Sequence, residues 1–131
     1  MNNTIDVFFP GGKRVDARVD RIIVNTDQSV ENGGEGTSPE PFTLFLISIA
    51  TCAGIYALEF CQARELPVKN MTLTLSYEFD EKKQLCERLN IDLILPAGFP
   101  ERYKKAIVRV MDLCNVKKQM MKPPEFVISA H

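Results

Sequence analysis

Apolar and polar residues along this chain alternate in patterns that predict an α+β protein. Up to about Thr26, the apolar segments VFF, RVDARV and RIIVNT are broken by PGG and by aspartates, which predicts three short strands. Residues 27–41, DQSVENGGEGTSPEP, are polar and rich in Gly and Pro, so we expect a surface loop. The apolar stretch FTLFLISIATCAGIYALEF follows and continues into CQARELP, which predicts one long helix stopped by Pro67.

The second half of the chain repeats the strand pattern and then changes to the helical one. MTLTLSYEF and RLNIDLIL alternate apolar with polar residues, and the charged DEKKQ between them predicts a hairpin loop. Pro100 opens a helix with an apolar stripe that runs from Tyr103 to Cys114. A second helical piece, NVKKQMM, precedes Pro123-Pro124, and EFVIS is expected to close as a strand. A chain of 131 residues predicts a single domain over residues 1–131.

The long helix has three possible roles: a membrane span, a buried core helix, or a helix that presents a thiol. It is uncharged from Pro41 to Leu58, which is nearly the length of a membrane span. Internal Thr, Ser and Gly, the lack of a basic cluster at either end, and amphipathic strands that need an apolar partner favour a core helix instead. Since one small sheet covers only one side of such a helix, the other side predicts a second subunit.

The charge balance and the first residues of the chain indicate its partners and its cellular location. Sixteen basic and seventeen acidic residues leave the net charge near zero, so we expect neither nucleic acid nor a membrane as a partner. The first residues, MNNTIDVFFPGGKR, do not resemble a secretory signal, which predicts a cytoplasmic protein. In the cytoplasm thiols stay reduced, so the four cysteines are expected to be core residues, ligands or redox groups.

Cysteine is the one residue type here that suggests chemistry. His131 is the only histidine, which excludes a Ser-His-Asp triad, a Cys-His pair and a histidine-based zinc cluster. Cys52 is either a small residue packed in a crowded helix or a presented thiol. Cys114 extends an apolar stripe, but it also precedes a helix start with Lys117 and Lys118, which could favour a thiolate.

The remaining two cysteines do not fit a shared site. Cys61 follows Cys52 by nine positions, about 900° around a helix at 100° per residue, so it faces the opposite side. Cys86 falls on the polar parity of its strand, so we expect it to be exposed or near a sheet edge.

A Gly-rich loop, a proline, a long apolar helix with a central cysteine, a hairpin, and a helix ending in a second cysteine together resemble the OsmC/Ohr family. These are the osmotically inducible and organic hydroperoxide resistance proteins. The segments GTSPEPFTLFLISIATCAGIYAL and CNVKKQMMKPPEF are most similar to its YhfA-like branch. The resemblance implies an OsmC-like α+β fold, with antiparallel sheets around long central helices in an intertwined homodimer.

The resemblance also implies a set of site residues. Cys52 matches the attacking thiol of the family and Cys114 the resolving one. Arg14 is the best match for the family's arginine, with Lys13 as the rival, although an ammonium does not bridge thiolate and carboxylate as a guanidinium does. The family's carboxylate position holds Thr43 here, and Glu40, just upstream, is the candidate substitute.

Two functions are consistent with the sequence and the family resemblance. The first is a thiol-dependent peroxidase that reduces organic hydroperoxides through Cys52 and Cys114 and is recycled by a dithiol reductant, with no metal or other cofactor. The second is a dimeric protein of the same fold that binds a small molecule or senses redox state without substantial peroxidase activity.

Overall fold

The computed structural model describes residues 3–131 and forms two compact units, one through Ile47 and one from Ser48 onward. The boundary falls inside the long helix α1, Pro41–Ala63, so that helix contributes residues to both units. The expectation of a single domain over residues 1–131 therefore stays a prediction.

The first unit contains a three-stranded antiparallel sheet, as predicted. Its strands are β1 (Asp6–Gly11), β2 (Arg14–Val19) and β3 (Ile22–Val24), in the order β1-β2-β3. The tight connection between β1 and β2 uses Gly12, whose φ of 58° lies in the left-handed region that glycine adopts without a steric penalty. The polar loop that follows contains one 3-10 turn, Val30–Asn32.

Helix α1 has well-defined signals at both ends. Pro41 occupies its first position, where the missing N–H would have had no partner, and the backbone N–H of Leu44 donates to the Glu40 carbonyl at 3.2 Å. At the other end, Glu65 has φ 54°, and the Leu66 N–H donates to the Cys61 carbonyl at 2.9 Å. This is a Schellman termination, so the helix ends at Ala63 without the help of Pro67.

The second unit contains the predicted hairpin and two further helices. Strands β4 (Thr72–Asp80) and β5 (Leu85–Ile94) pair antiparallel, with Leu73 opposite Leu93 and Leu75 opposite Ile91. A 3-10 turn, Glu101–Tyr103, leads into α2 (Lys104–Met111), and α3 spans Asn115–Met121. The α+β class with antiparallel sheets is thereby confirmed.

The core of the second unit forms where α1 meets α2. In the apolar stripe predicted for α2, Ile107 and Met111 are buried and Tyr103 and Val110 are partly buried, and the residues of α1 that share the cluster fall at helical spacing. Phe60 packs edge-on against Tyr103 with ring centroids 5.8 Å apart, and the Arg64 guanidinium lies 3.7 Å from the centre of the Phe60 ring. The buried cluster consists of Ala53, Ala57, Phe60, Cys61, Ile107 and Met111.

The C-terminal segment differs from the sequence prediction. EFVIS, residues 125–129, was expected to close as a strand, but the structure has no strand after α3. Phe126, Val127 and Ile128 are 78%, 84% and 91% exposed. A strand needs a neighbouring edge for its backbone hydrogen bonds, and within the described chain this segment has none.

The Schellman termination gives a stability prediction. Glu65→Gly should stabilise the protein by about 0.5–1 kcal/mol, because glycine adopts the left-handed conformation without the strain of a side chain. This gain exceeds the additional entropic cost of ordering glycine, which is more flexible than glutamate in the unfolded chain. The matched control is Glu59→Gly, at an exposed position inside α1, which should destabilise by about 1 kcal/mol. Thermal and urea unfolding of both variants would show the opposite signs, and destabilisation by Glu65→Gly would contradict the assigned helix end.

Candidate functional site

Two thiols from different segments of the chain lie close together in the second unit. Cys52 lies in the middle of α1 and is half-buried, whereas Cys114 immediately precedes α3 and is 2% exposed. Both are free thiols, and Cys52 is close enough to Cys114 to act on it as a hydrogen-bond partner and as a neighbouring charge. The two cysteines that the resemblance implied as a pair are thus neighbours in the folded chain.

The surroundings of Cys114 determine its protonation. Burial raises the pKa of the Cys114 thiol, and the hydrogen bond and potential charge of Cys52 raise it further. The backbone N–H groups of Lys117 and Val116 at the start of α3 act in the opposite direction but do not outweigh burial. The expectation that this helix start favours a thiolate at Cys114 was therefore wrong in its net effect.

This arrangement suits sequential chemistry at two thiols. The half-buried Cys52 is the more accessible member, and the protonated Cys114 beside it is shielded from solvent. An oxidised sulfur on Cys52 would meet a second thiol before it met further oxidant, which is the condition for reversible cysteine oxidation.

The other two cysteines lie elsewhere, as predicted. Cys61 is fully buried in the α1–α2 cluster, and burial raises the pKa of its thiol, partly offset by the charge of Arg64. Cys86 is half-buried on β5, where its thiol donates to the Arg88 carbonyl with 3.6 Å between the sulfur and the oxygen. Among residues 3–131, no group of three or more His, Cys, Asp and Glu side chains could hold a metal ion.

The candidate basic residues lie in the first unit. Arg14 begins β2 directly after the glycine turn, with Lys13 before it, and both are exposed. They border a small cavity of about 370 Å³ together with Asp27 and the Gly33-Gly34 turn. The structure thus places Arg14 and Lys13 side by side on the same cavity, and the choice between them stays open.

The candidate carboxylate is fixed by its own loop. Glu40 is half-buried just before α1, and one of its carboxylate oxygens accepts a hydrogen bond of 2.8 Å from the Asn32 side-chain amide. Thr43 is exposed in the first turn of the helix. Within residues 3–131, no ion pair joins Arg14 to Glu40.

Sequence reasoning missed Asp27, which organises the whole polar loop. Its buried carboxylate accepts hydrogen bonds from the Thr37 hydroxyl at 2.7 Å, the Thr37 N–H at 3.1 Å and the Gln28 N–H at 2.7 Å. A longer contact comes from the Glu35 N–H at 3.3 Å. These bonds, led by that of the Thr37 hydroxyl, lower the pKa of Asp27 to about 2. An aspartate ahead of a Gly-rich segment, with a threonine inside it, was the available signal.

Comparison with known proteins identifies a family. A family model described as OsmC-like protein matches residues 34–129. That range contains the long helix, the hairpin, both neighbouring cysteines and the exposed C-terminal segment. A search of curated proteins found no match.

Solved structures share the fold over most of its length. A protein of Psychrobacter arcticus 273-4, named for osmotic stress induction and detoxification response, superposes with a TM-score of 0.79 at 19% identity, covering 91% of this chain and 88% of its own. An OsmC-like protein of Mycoplasma pneumoniae gives 0.74 at 12% identity, with coverages of 94% and 89%. An organic hydroperoxide resistance protein, OsmC, of Legionella pneumophila gives 0.57 at 16% identity, with coverages of 93% and 90%.

The Asp27 carboxylate gives a pH-dependent prediction. Because its folded-state pKa lies near 2, below the ordinary 3.8, its contribution to stability is complete above about pH 4 and is lost as the pH falls through about 2. Asp27→Asn should lower the melting temperature at neutral pH, since an amide would turn a donor toward the loop's own donors. The two melting curves should converge in acid.

The control for this prediction is Asp92→Asn, an exposed carboxylate on β5. It should leave both the melting temperature and its pH dependence nearly unchanged. A constant difference between Asp27→Asn and the parent protein from neutral pH down to about 2 would contradict the role assigned to the Asp27 charge.

Proposed function

The chain belongs to the OsmC-like family, and from that premise we propose that it is a thiol-dependent peroxidase that reduces organic hydroperoxides. The observation that carries the proposal is the meeting of Cys52 and Cys114 with different burial. The Legionella pneumophila structure is named as an organic hydroperoxide resistance protein, and this name is consistent with the proposed substrate class.

In the first step, the Cys52 thiolate attacks the terminal oxygen of the hydroperoxide. The O–O bond breaks, the alkoxide takes a proton and leaves as an alcohol, and Cys52 becomes a sulfenic acid. Half-burial of Cys52 supports this role, since the attacking sulfur must meet the substrate while remaining partly screened from water.

In the second step, the Cys114 sulfur attacks the sulfenic sulfur of Cys52. An S–S bond forms, the S–O bond breaks, and the hydroxyl leaves as water with the Cys114 proton. A dithiol reductant then reduces the disulfide and is itself oxidised to a disulfide. The raised pKa of Cys114 supports this order, because a protonated buried thiol is a poor competitor for peroxide but already lies beside the sulfur that it must attack.

Arg14 and Glu40 are proposed as the residues that tune the thiolate. A guanidinium stabilises a thiolate electrostatically, and a carboxylate can orient the guanidinium. The bond from Asn32 to Glu40 supports a defined carboxylate position. Lys13 is the alternative cation, and Arg14→Ala against Lys13→Ala would distinguish them by the loss of peroxidase rate.

We also propose that the working form is a homodimer in the cytoplasm, where dithiol reductants are available. Helix α1 is long and apolar enough to cross a membrane by length and composition, but a core helix of a soluble protein passes the same test. Only 33% of its most apolar window is buried within this chain. A second copy that covers α1 and the segment 125–129 accounts for both exposed surfaces without a membrane.

The peroxidase proposal predicts separate outcomes for the cysteines. Cys52→Ser should reduce hydroperoxide consumption with a dithiol reductant to background. Cys114→Ser should allow one oxidation per subunit that stops at the sulfenic acid or proceeds to the sulfinic acid, seen as added oxygen in the intact mass. Cys86→Ser is the matched control at a half-buried thiol and should retain full turnover.

Treating the reduced parent protein with one equivalent of cumene hydroperoxide should yield a Cys52–Cys114 disulfide, detected as one cross-linked peptide pair. Full turnover by Cys52→Ser would exclude the mechanism. Stoichiometric disulfide formation without turnover under any dithiol would favour redox sensing, the other function that the sequence left open.

The dimer proposal predicts a role for the C-terminal segment. Sedimentation at micromolar concentration should give a dimer for the parent protein. Replacing Phe126 and Ile128 together with Ser should weaken it by at least about tenfold in Kd, because two exposed apolar side chains would no longer be buried on association. Lys122→Ser, which replaces a charged side chain rather than a large apolar one, should not weaken the dimer. A stable monomeric parent protein would refute the dimer.

A further inference from the structure

The second unit contains a cavity that involves neither Cys52 nor Cys114. It has a volume of about 770 Å³, which is within the usual range of small-molecule sites of about 300–1,000 Å³. It lies between β5 and α2, with Ala53 of α1 among its lining residues. Its apolar lining includes Ile91, Leu93, Leu95, Ile107 and Met111.

The charges around the cavity are unbalanced toward the positive. Lys104 is paired with Glu101 at 2.7 Å, and Asp112 is paired with Lys117. Lys105 and Arg109 also line the cavity, and neither has an ion-pair partner within residues 3–131. Two cations thus remain available to an anionic group.

The last carboxylate at the cavity, Asp92, does not neutralise them. It lies on β5 between Ile91 and Leu93, and side chains alternate between the two faces of a strand. With Ile91 and Leu93 on the cavity side, the Asp92 side chain is on the other face. Val108, 62% exposed, adds an apolar contribution from α2 beside the two cations.

We propose that this cavity binds an amphipathic organic anion, in which an apolar chain or ring carries one carboxylate. The apolar part occupies the space over Ala53 and Ile107, and the carboxylate is bound by Lys105 and Arg109. Arg109 offers the planar donor pair that matches a carboxylate, and Lys105 adds a point charge. This binding requires no thiol chemistry and does not depend on the proposed peroxidase activity.

The test measures binding of dodecanoate to the full-length protein by isothermal titration calorimetry, without peroxide, below the concentration at which the probe self-associates. Dodecyltrimethylammonium, with the same chain and the opposite charge, is the matched ligand control. Saturable binding of dodecanoate, and at least tenfold weaker binding of the cation, is the expected result.

Variants then locate the site. Lys105→Glu with Arg109→Glu should weaken dodecanoate binding by at least tenfold, while Lys69→Glu with Lys82→Glu, an equal charge change at exposed positions outside the cavity, should not. Val108→Trp, at an exposed position, should also weaken binding by filling the cavity. Cys52→Ser should bind as the parent protein does.

Three results would overturn the proposal. One is the absence of saturable binding, as expected if a second copy of the chain covers the cavity. Another is equal affinity for the cationic probe, which would indicate adsorption to apolar surface alone. The third is binding lost in Cys52→Ser but kept in Val108→Trp, which would place the ligand at the thiols. A negative result in the peroxidase assay would not affect these binding measurements, because they are made without peroxide.

Discussion

The apolar surface of α1, which carries no charge from Pro41 to Leu58, is the constraint on which the rest of this structure depends. A helix that is apolar on nearly every side cannot be stable against water, so each of its faces needs a packing partner. Within the second unit, α2 covers the face that carries Ala53, Ala57 and Cys61. Ile55, on another face, is 45% exposed. The same requirement that builds the core is therefore the basis of the proposed homodimer.

The packing around α1 gives the thiols of Cys52 and Cys114 different chemical environments. Cys114 follows the buried stripe of α2 and shares its burial, which raises the pKa of its thiol. Cys52 lies on α1 next to the buried face and remains half-buried. Two identical side chains thus acquire different accessibility from the segments in which they lie.

Local sequence patterns predicted the elements that local forces determine. The alternation in β4 and β5 and the stripe on α2 each reflect an interaction within one element or between adjacent ones, so they could be predicted directly from the sequence. Helix α1 begins at Pro41, one residue earlier than predicted, because the proline was assigned to the preceding loop. The end of α1 could not be predicted in this way. Glu65 adopts a left-handed backbone conformation there, and a glutamate in the sequence does not indicate such a conformation. Residues 125–129 were also misread, since strand propensity does not reveal whether an edge is available.

The residues of the candidate site also differ in how far the sequence could predict them. Cys52 and Cys114 were paired through a family resemblance, and their proximity depends on a tertiary contact that no spacing rule gives. Asp27 was missed because its importance lies in hydrogen bonds to a loop that extends ten residues further along the chain. Small side chains connect these observations. Ala53 and Ala57 lie one turn apart in the buried cluster, where α1 packs against Ile107 and Met111 of α2. Ala53, which follows Cys52 in the chain, also lines the cavity of about 770 Å³, so a larger side chain there would fill part of that cavity and disturb the packing against Ile107 and Met111.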